Sequence, residues 1–291
     1  MTDLRRRAID LYDDFTHEHR DRRRLLAEMT ALAGSVAAAE ALIAVVAASP
    51  AAAQQIDPAD KRLSTTRAPV PTGTGAPLNA YFAAPRSMKG VRGAVMVIHE
   101  NRGLNAHIED VARRVALAGY IAVAPDFLTP AGGTPADPDQ ARELIGKLDL
   151  AQTVAAATGA VKAMRERDGR RMKVGIVGFC WGGAMVNRVA VGAGSALDAA
   201  VSYYGPAPDP AEAPKVGASI ILQLAGNDAR VNGTAKPWGA ALKAAGKDVA
   251  VYEYPGVEHA FNNDTSVERY NAEAAKLAWS RTMALFKRKL A

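Results

Sequence analysis

Cysteine is nearly absent from this chain: Cys180 is the only one in 291 residues. A single thiol excludes an intrachain disulfide framework and a cysteine-rich zinc site. It also leaves thiol redox chemistry without a resolving partner. Aromatic residues are few, at 6%, and the lysines and arginines of the body are scattered. The net charge of +6 therefore does not make a nucleic-acid surface, which needs clustered basic charge; a small anionic substrate suits the same charge. No apolar run of membrane-spanning length is present, because Glu28 and Glu40 interrupt the one apolar N-terminal stretch. What is there in quantity is core-forming material, 49% of the chain, enough for one large domain or two small ones.

The first 53 residues differ from the rest, with seven arginines and eight acidic residues interleaved. Asp21-Arg22-Arg23-Arg24-Leu25-Leu26 leads into an alanine-rich stretch that ends at Ala47-Ala48-Ser49-Pro50-Ala51-Ala52-Ala53-Gln54. Paired arginines, a mildly apolar segment and an Ala-x-Ala site resemble a twin-arginine export signal, which implies a periplasmic address. The other reading is a retained helix in a cytoplasmic protein, with Leu25, Met29, Leu32, Val36, Ile43 and Val46 roughly on one side. Leu4 to His19 reads as a charged helix, with His17 and His19 on its surface. Residues 54–78 carry Pro, Thr and Ala without clear periodicity and read as a linker with room for one irregular strand.

Residues 79–291 alternate between two periods. Short apolar runs at Asn79 to Ala84 (expected at the sheet edge), Gly93 to His99, Tyr120 to Ala124, Met172 to Val177, Ala199 to Tyr203, Ser219 to Leu224 and Val249 to Tyr254 predict strands. Helical spacing predicts helices at Ile108 to Ala118, within 137–148 and 150–167, over Ala184 to Ala190, and from about Glu268 to Lys289. Such alternation implies an α/β fold: a mostly parallel sheet with helices on both faces, preceded by an N-terminal helical extension. Reactive groups in such sheets gather beyond the carboxyl ends of the strands.

Gly178-Phe179-Cys180-Trp181-Gly182-Gly183 lies between a predicted strand and a predicted helix. Strand, glycine-flanked turn and helix form the setting of a nucleophile elbow, here with cysteine at the tip. Glycines clear the space that neighbouring Cβ atoms would fill, and the helix N-terminus favours a thiolate and a nearby oxyanion. A small buried thiol between glycines is the plainer alternative.

Five histidines are available. His107 starts a helix and reads as a surface or capping residue; His99 ends a strand, with its phase undetermined. His259 lies in a loop just after the last strand, and Asp228 lies in the Gly226-Asn227-Asp228 turn after another. Nucleophile, acid, histidine in chain order, each after a strand, is the order of the α/β-hydrolase fold. His259 would take the thiol proton and later deliver it to the leaving group, while Asp228 fixes the imidazole. The backbone N–H of Trp181 and that of Asn101, after the second strand, would form the oxyanion hole. No metal or organic cofactor is required.

These motifs resemble the dienelactone hydrolase (carboxymethylenebutenolidase) family. The matching residues are 178–183, 226–228, Pro255 to Phe261, Glu100 after Val97-Ile98-His99, Ala124-Pro125-Asp126 and Tyr203-Tyr204-Gly205. The resemblance covers residues 79–291 as one hydrolase domain. It implies an ester or lactone hydrolase working through a Cys180 acyl-enzyme, with Glu100 holding the cysteine proton at rest. It does not extend to the family's two carboxylate-binding arginines: Phe127-Leu128-Thr129-Pro130 and Asn262-Asn263-Asp264 stand at those places. Arg102, Arg230 and Arg269 lie in nearby loops as substitutes, and Tyr204 and Phe261 join Arg102 and Arg230 as substrate-pocket candidates. The expected partner is thus a small ester or lactone, with an anionic group if the arginines serve; a ligand-binding or regulatory relative without turnover is the alternative.

Overall fold

The Val- and Ile-rich runs of the body become strands because a β-branched side chain packs well on a pleated sheet buried on both faces. In the computed structural model, which describes residues 3–17, 21–47, 55–73, 75–167 and 169–291, eight strands form one sheet. Six of them are parallel: β3 (Ala94–Ile98), β4 (Ile121–Pro125), β7 (Val174–Phe179), β8 (Ala199–Tyr203), β9 (Ser219–Ala225) and β10 (Val249–Tyr254). Two antiparallel strands, β1 (Leu63–Val70) and β2 (Leu78–Pro85), complete the order β1-β2-β4-β3-β7-β8-β9-β10. A separate two-stranded ribbon joins β5 (Glu166–Arg167) to β6 (Arg170–Arg171).

Residues 54–78, read as a linker, contain a regular strand. β1 pairs with β2 along all eight residues and takes the edge position expected of Asn79 to Ala84. Its burial alternates poorly, with only its two terminal residues covered, so no apolar period marks it in the sequence.

Period-two alternation sorts the strand residues into two cores. Ala94, Met96 and Ile98 of β3 face one side, with α6 (Leu150–Arg165), α7 (Trp181–Ala193) and α8 (Ala229–Ala244). Val95 and Val97 face the other, with α4 (Ala106–Leu117) and α9 (Ala272–Leu290). A smaller helix, α5 (Pro138–Gly146), flanks the carboxyl edge.

The N-terminal extension is three helices, α1 (Asp3–His17), α2 (Arg22–Ala33) and α3 (Val36–Val46). The single apolar helix read through Leu25 to Val46 is broken at Gly34. That residue closes α2 with φ of 83°, Ser35 caps α3 through its side chain, and the two helices bend by 109°. Leu25, Met29 and Val46 do turn inward, joining Ala8, Ile9, Tyr12 and Phe15 of α1 in a small core of their own; Val36 stays exposed. Among the described residues no single helix is long and apolar enough to cross a membrane. His19 and the Ala-x-Ala stretch beyond Ala47 lie outside the described residues.

Candidate active site

Cys180 stands between the last residue of β7 and the first of α7 with φ of 56° and ψ of −115°. A side chain with a Cβ rarely holds such a backbone, and strain of this kind gathers at functional sites. The glycines around it permit the turn. A Cβ on Gly178 would sit 2.3 Å from the Gly182 carbonyl oxygen, and one on Gly182 would sit 2.4 Å from that of Ile98. Helix α7 therefore enters against bare backbone, with Cys180 at its N-cap and Trp181 at its first position.

Two loops at the same edge bring Asp228 to His259. Asp228 caps α8, its Oδ1 accepting from the Val231 N–H, while its Oδ2 lies 2.5 Å from His259 Nδ1. The neighbouring backbone is zipped together: Gly226 N–H donates to the Tyr254 carbonyl and Asn227 N–H to that of Val257. The Asn227 side-chain amide also donates to Glu258 at 2.7 Å. His259 is 4% exposed. Burial alone would lower its pKa; the Asp228 carboxylate and Cys180 outweigh burial and raise it to about 10. Burial would likewise raise Asp228, but the His259 charge, the hydrogen bonds and Arg230 hold its carboxyl below the usual range.

Glu100 follows β3 and faces the same space. Asn263 Nδ2 donates to its Oε2 at 2.7 Å, and Oε1 is buried without a hydrogen-bond partner among the described residues. The loop that carries Glu100, Asn101 and Arg102 is fixed from the next connection along. Asp126 accepts from the Leu128 and Thr134 backbone N–H groups and from the Thr134 hydroxyl, and that hydroxyl accepts from the Leu104 N–H. The Pro125-Asp126 pair thus has a bracing role.

A cavity of about 30 Å³ joins these residues; its lining includes Glu100, Asn101, Arg102, Cys180, His259 and Arg269. Tyr12 and Thr16 of α1 close it from above. Arg269, one of the three substitute arginines, is buried and pairs with Asp13 at 3.0 Å. Arg102 donates to the Tyr12 hydroxyl at 2.5 Å.

The other sequence candidates lie elsewhere. Arg230 is exposed in the first turn of α8, outside the lining of the cavity. Phe261 is fully buried among Tyr203, Tyr204 and Tyr254, also away from the lining. Tyr204 is buried with φ of 38°, its ring 5.0 Å from that of His259. Its hydroxyl has no hydrogen-bond partner among the described residues, and burial, then Glu100 and Cys180, push its pKa well above the usual phenol value.

His99 is a scaffold residue. It is fully buried and stacks on Trp181 at 5.2 Å; its Nε2 accepts from the Phe127 N–H, which leaves Nδ1 to donate to the Glu100 carbonyl. Burial lowers its pKa, consistent with that neutral tautomer. His107, expected at the surface, is buried instead, 3.1 Å from Asp264, because the first turn of α4 packs inward beneath the 264 loop.

Asn263, Asn227 and Glu258 stand in or beside the sequence motifs without a role of their own to be read there, and the α1 residues carry no site signal. Asn263 and Glu258 flank His259, and that proximity is the one local signal for them. Among the described residues no group of three or more His, Cys, Asp or Glu is placed to hold a metal ion.

The family model for the dienelactone hydrolase family matches residues 78–290. A Salmonella typhi protein named for carboxymethylenebutenolidase is 30% identical over 255 residues, covering 82% of this chain and 93% of its own. A YghX hydrolase fragment from Escherichia coli is 54% identical over 81 residues, 28% of this chain and 68% of the fragment. A Klebsiella pneumoniae structure titled as a dienelactone hydrolase superposes with a TM-score of 0.69 at 29% identity, covering 78% of this chain and 99% of that one. The match to the family model spans every strand of the sheet except β1 and every loop described above, and the chain belongs to the dienelactone hydrolase family, with the α/β-hydrolase fold and hydrolysis of the ester or lactone type that go with it.

Proposed function

We propose that the chain hydrolyses a carboxylic ester or lactone with Cys180 as nucleophile. The observation that carries this reading is the 2.5 Å Asp228–His259 contact at the cavity that also receives the strained Cys180. The thiol proton passes to the imidazole of His259, and the Asp228 carboxylate stabilises the imidazolium that forms. The thiolate attacks the carbonyl carbon, and a C–S bond forms as the oxygen becomes an oxyanion. The N–H of Trp181, at the first position of α7, has no acceptor one turn back within its helix and suits that oxyanion. The Asn101 N–H is the second donor. Collapse breaks the C–O bond, His259 protonates the departing alkoxide, and a thioester remains. Water, deprotonated by His259, then releases the acid and restores the thiol. For a lactone, both groups stay in one product.

Glu100 supports the resting state. Its carboxylate shares the cavity with the thiol, and a thiolate beside it would be repelled, so Glu100 opposes the charge that the reaction needs until substrate enters. Replacing Cys180 with Ala should remove aryl-ester turnover while the circular dichroism spectrum and thermal midpoint stay close to wild type. Undiminished turnover in that variant would refute the assignment. A carboxylate-bearing substrate is favoured by Arg102 and Arg269 at the cavity; a panel of lactones with and without the carboxylate tests it.

A further inference from the structure

The space beside Cys180 is too small for the reaction assigned to it. Its volume of about 30 Å³ matches roughly the share of one water molecule, whereas small-molecule sites commonly span about 300–1,000 Å³. Cys180 is 5% exposed. The roof is α1, a helix outside the family match of residues 78–290.

We propose that α1 is an autoinhibitory lid, shut in this structure, which must swing off the carboxyl edge before an ester reaches Cys180. The proposal rests on the hydrolytic reading above and adds its regulation.

The lid is held by polar bonds to residues of the site itself. Asp13 pairs with Arg269, the Tyr12 hydroxyl accepts from Arg102, and the Thr16 carbonyl accepts from the Asn101 side chain at 3.0 Å. A bond from Arg142 to the Phe15 carbonyl at 3.2 Å also ties the helix to α5. The lid thus occupies the donors that line the cavity.

Its docking is built to be reversible. The three N-terminal helices share a core of their own, so α1 can leave the sheet domain with α2 and α3 as one unit once the Arg22–Asp139 and Ser266–Val46 contacts also part. Between this module and the body lies a second cavity of about 320 Å³, lined by Tyr12, Phe15, Leu25 and Ile43 on one side and Arg102 and Asp139 on the other. Side chains facing a void forgo dispersion contacts, which weakens the docking. The Asp13–Arg269 pair is partly buried, with the Asp13 side chain 22% exposed, and burial pushes the Asp13 carboxyl up against the pull of Arg269. A pair whose desolvation opposes its attraction holds the lid only weakly.

The test uses the full-length chain and its sole thiol, with 5,5′-dithiobis(2-nitrobenzoate) as probe. The wild-type thiol should react at least about 100-fold more slowly than the same thiol in the urea-unfolded chain; a rate within tenfold would mean that no lid is shut. The double variant Asp13→Asn/Tyr12→Phe removes the latch from the α1 side and should react about tenfold faster than wild type. Because Asp13 also influences the charge near His259, Arg142→Ala provides a second release, removing both the bond to the Phe15 carbonyl and the guanidinium 4.1 Å from the Phe15 ring centre. It should accelerate labelling likewise. Aryl-ester kcat/KM should rise with the labelling rate in both. Unchanged labelling in both would overturn the proposal. Faster labelling with reduced turnover would overturn it too, because α1 would then be part of the working site. Thiol labelling needs no acyl transfer, so it reads the lid even if ester hydrolysis is absent. If neither variant folds, the wild-type comparison decides.

Discussion

The proposed chemistry rests on a few charges held close together in a buried place. His259 and Asp228 displace one another's titration in opposite directions. With its folded pKa raised to about 10, His259 contributes stability that is complete below about pH 6.5 and lost as pH rises through 10. Asp228, lowered, contributes above its ordinary value near 3.8 and loses that contribution as pH falls through its native one. In Asp228→Asn the raising charge is gone and burial dominates, so the His259 pKa falls. The difference in thermal midpoint between wild type and this variant should be largest near pH 5–6 and shrink toward pH 10. A difference that does not change with pH would contradict the pairing. The same variant should lose roughly 10³–10⁴-fold in kcat, the usual cost of a misoriented imidazole. At the same scale, Glu100→Gln should speed alkylation of Cys180 by iodoacetamide at pH 7 by several-fold, since one negative charge leaves the cavity. Slower alkylation would show that Glu100 helps to ionise the thiol instead. The sequence makes Cys180, Asp228 and His259 legible because each follows a recognisable strand. It hides Asn263, whose amide has meaning only once Glu100 is folded against it.

Elements carry these residues to one edge, and glycines decide how closely the elements approach. Gly182→Ala would drive a Cβ to 2.4–2.5 Å from the Ile98 and His99 carbonyl oxygens, both main-chain atoms that cannot turn aside. Overpacking of this sort costs about 1–3 kcal/mol. A loss of several degrees in the thermal midpoint and misplacement of the oxyanion donors should follow. A wild-type midpoint with wild-type turnover would show that α7 has room to move. The order of strands and helices is readable from the sequence since its apolar periods switch cleanly between two and 3.6. β1 is the exception. Leu63–Val70 is held by backbone pairing with β2 at an exposed edge, and Thr65, Thr66 and Arg67 give no apolar alternation to read. The break at Gly34 is masked for a related reason: helical spacing of apolar residues continues on both sides of it, although Gly-Ser is a cap signal at both ends.

In the whole molecule, an esterase-like body is covered at its reactive edge by a module from the other end of the chain. Nothing local in residues 3–47 reveals that position. It arises from contacts between segments far apart in sequence, such as Asp13 with Arg269 and Asn101 with Thr16. The same distance explains why nothing in the sequence around Arg269 shows that it is buried in the structure. The central claim, covalent catalysis at Cys180, is tested most directly by rapid mixing with an activated aryl ester followed by intact-mass and peptide analysis. The account predicts a burst of leaving group, at most one equivalent per chain, and an acyl mass increment on the peptide carrying Cys180. Multiple turnovers with no acyl increment there, or with full rate retained in Cys180→Ala, would contradict it.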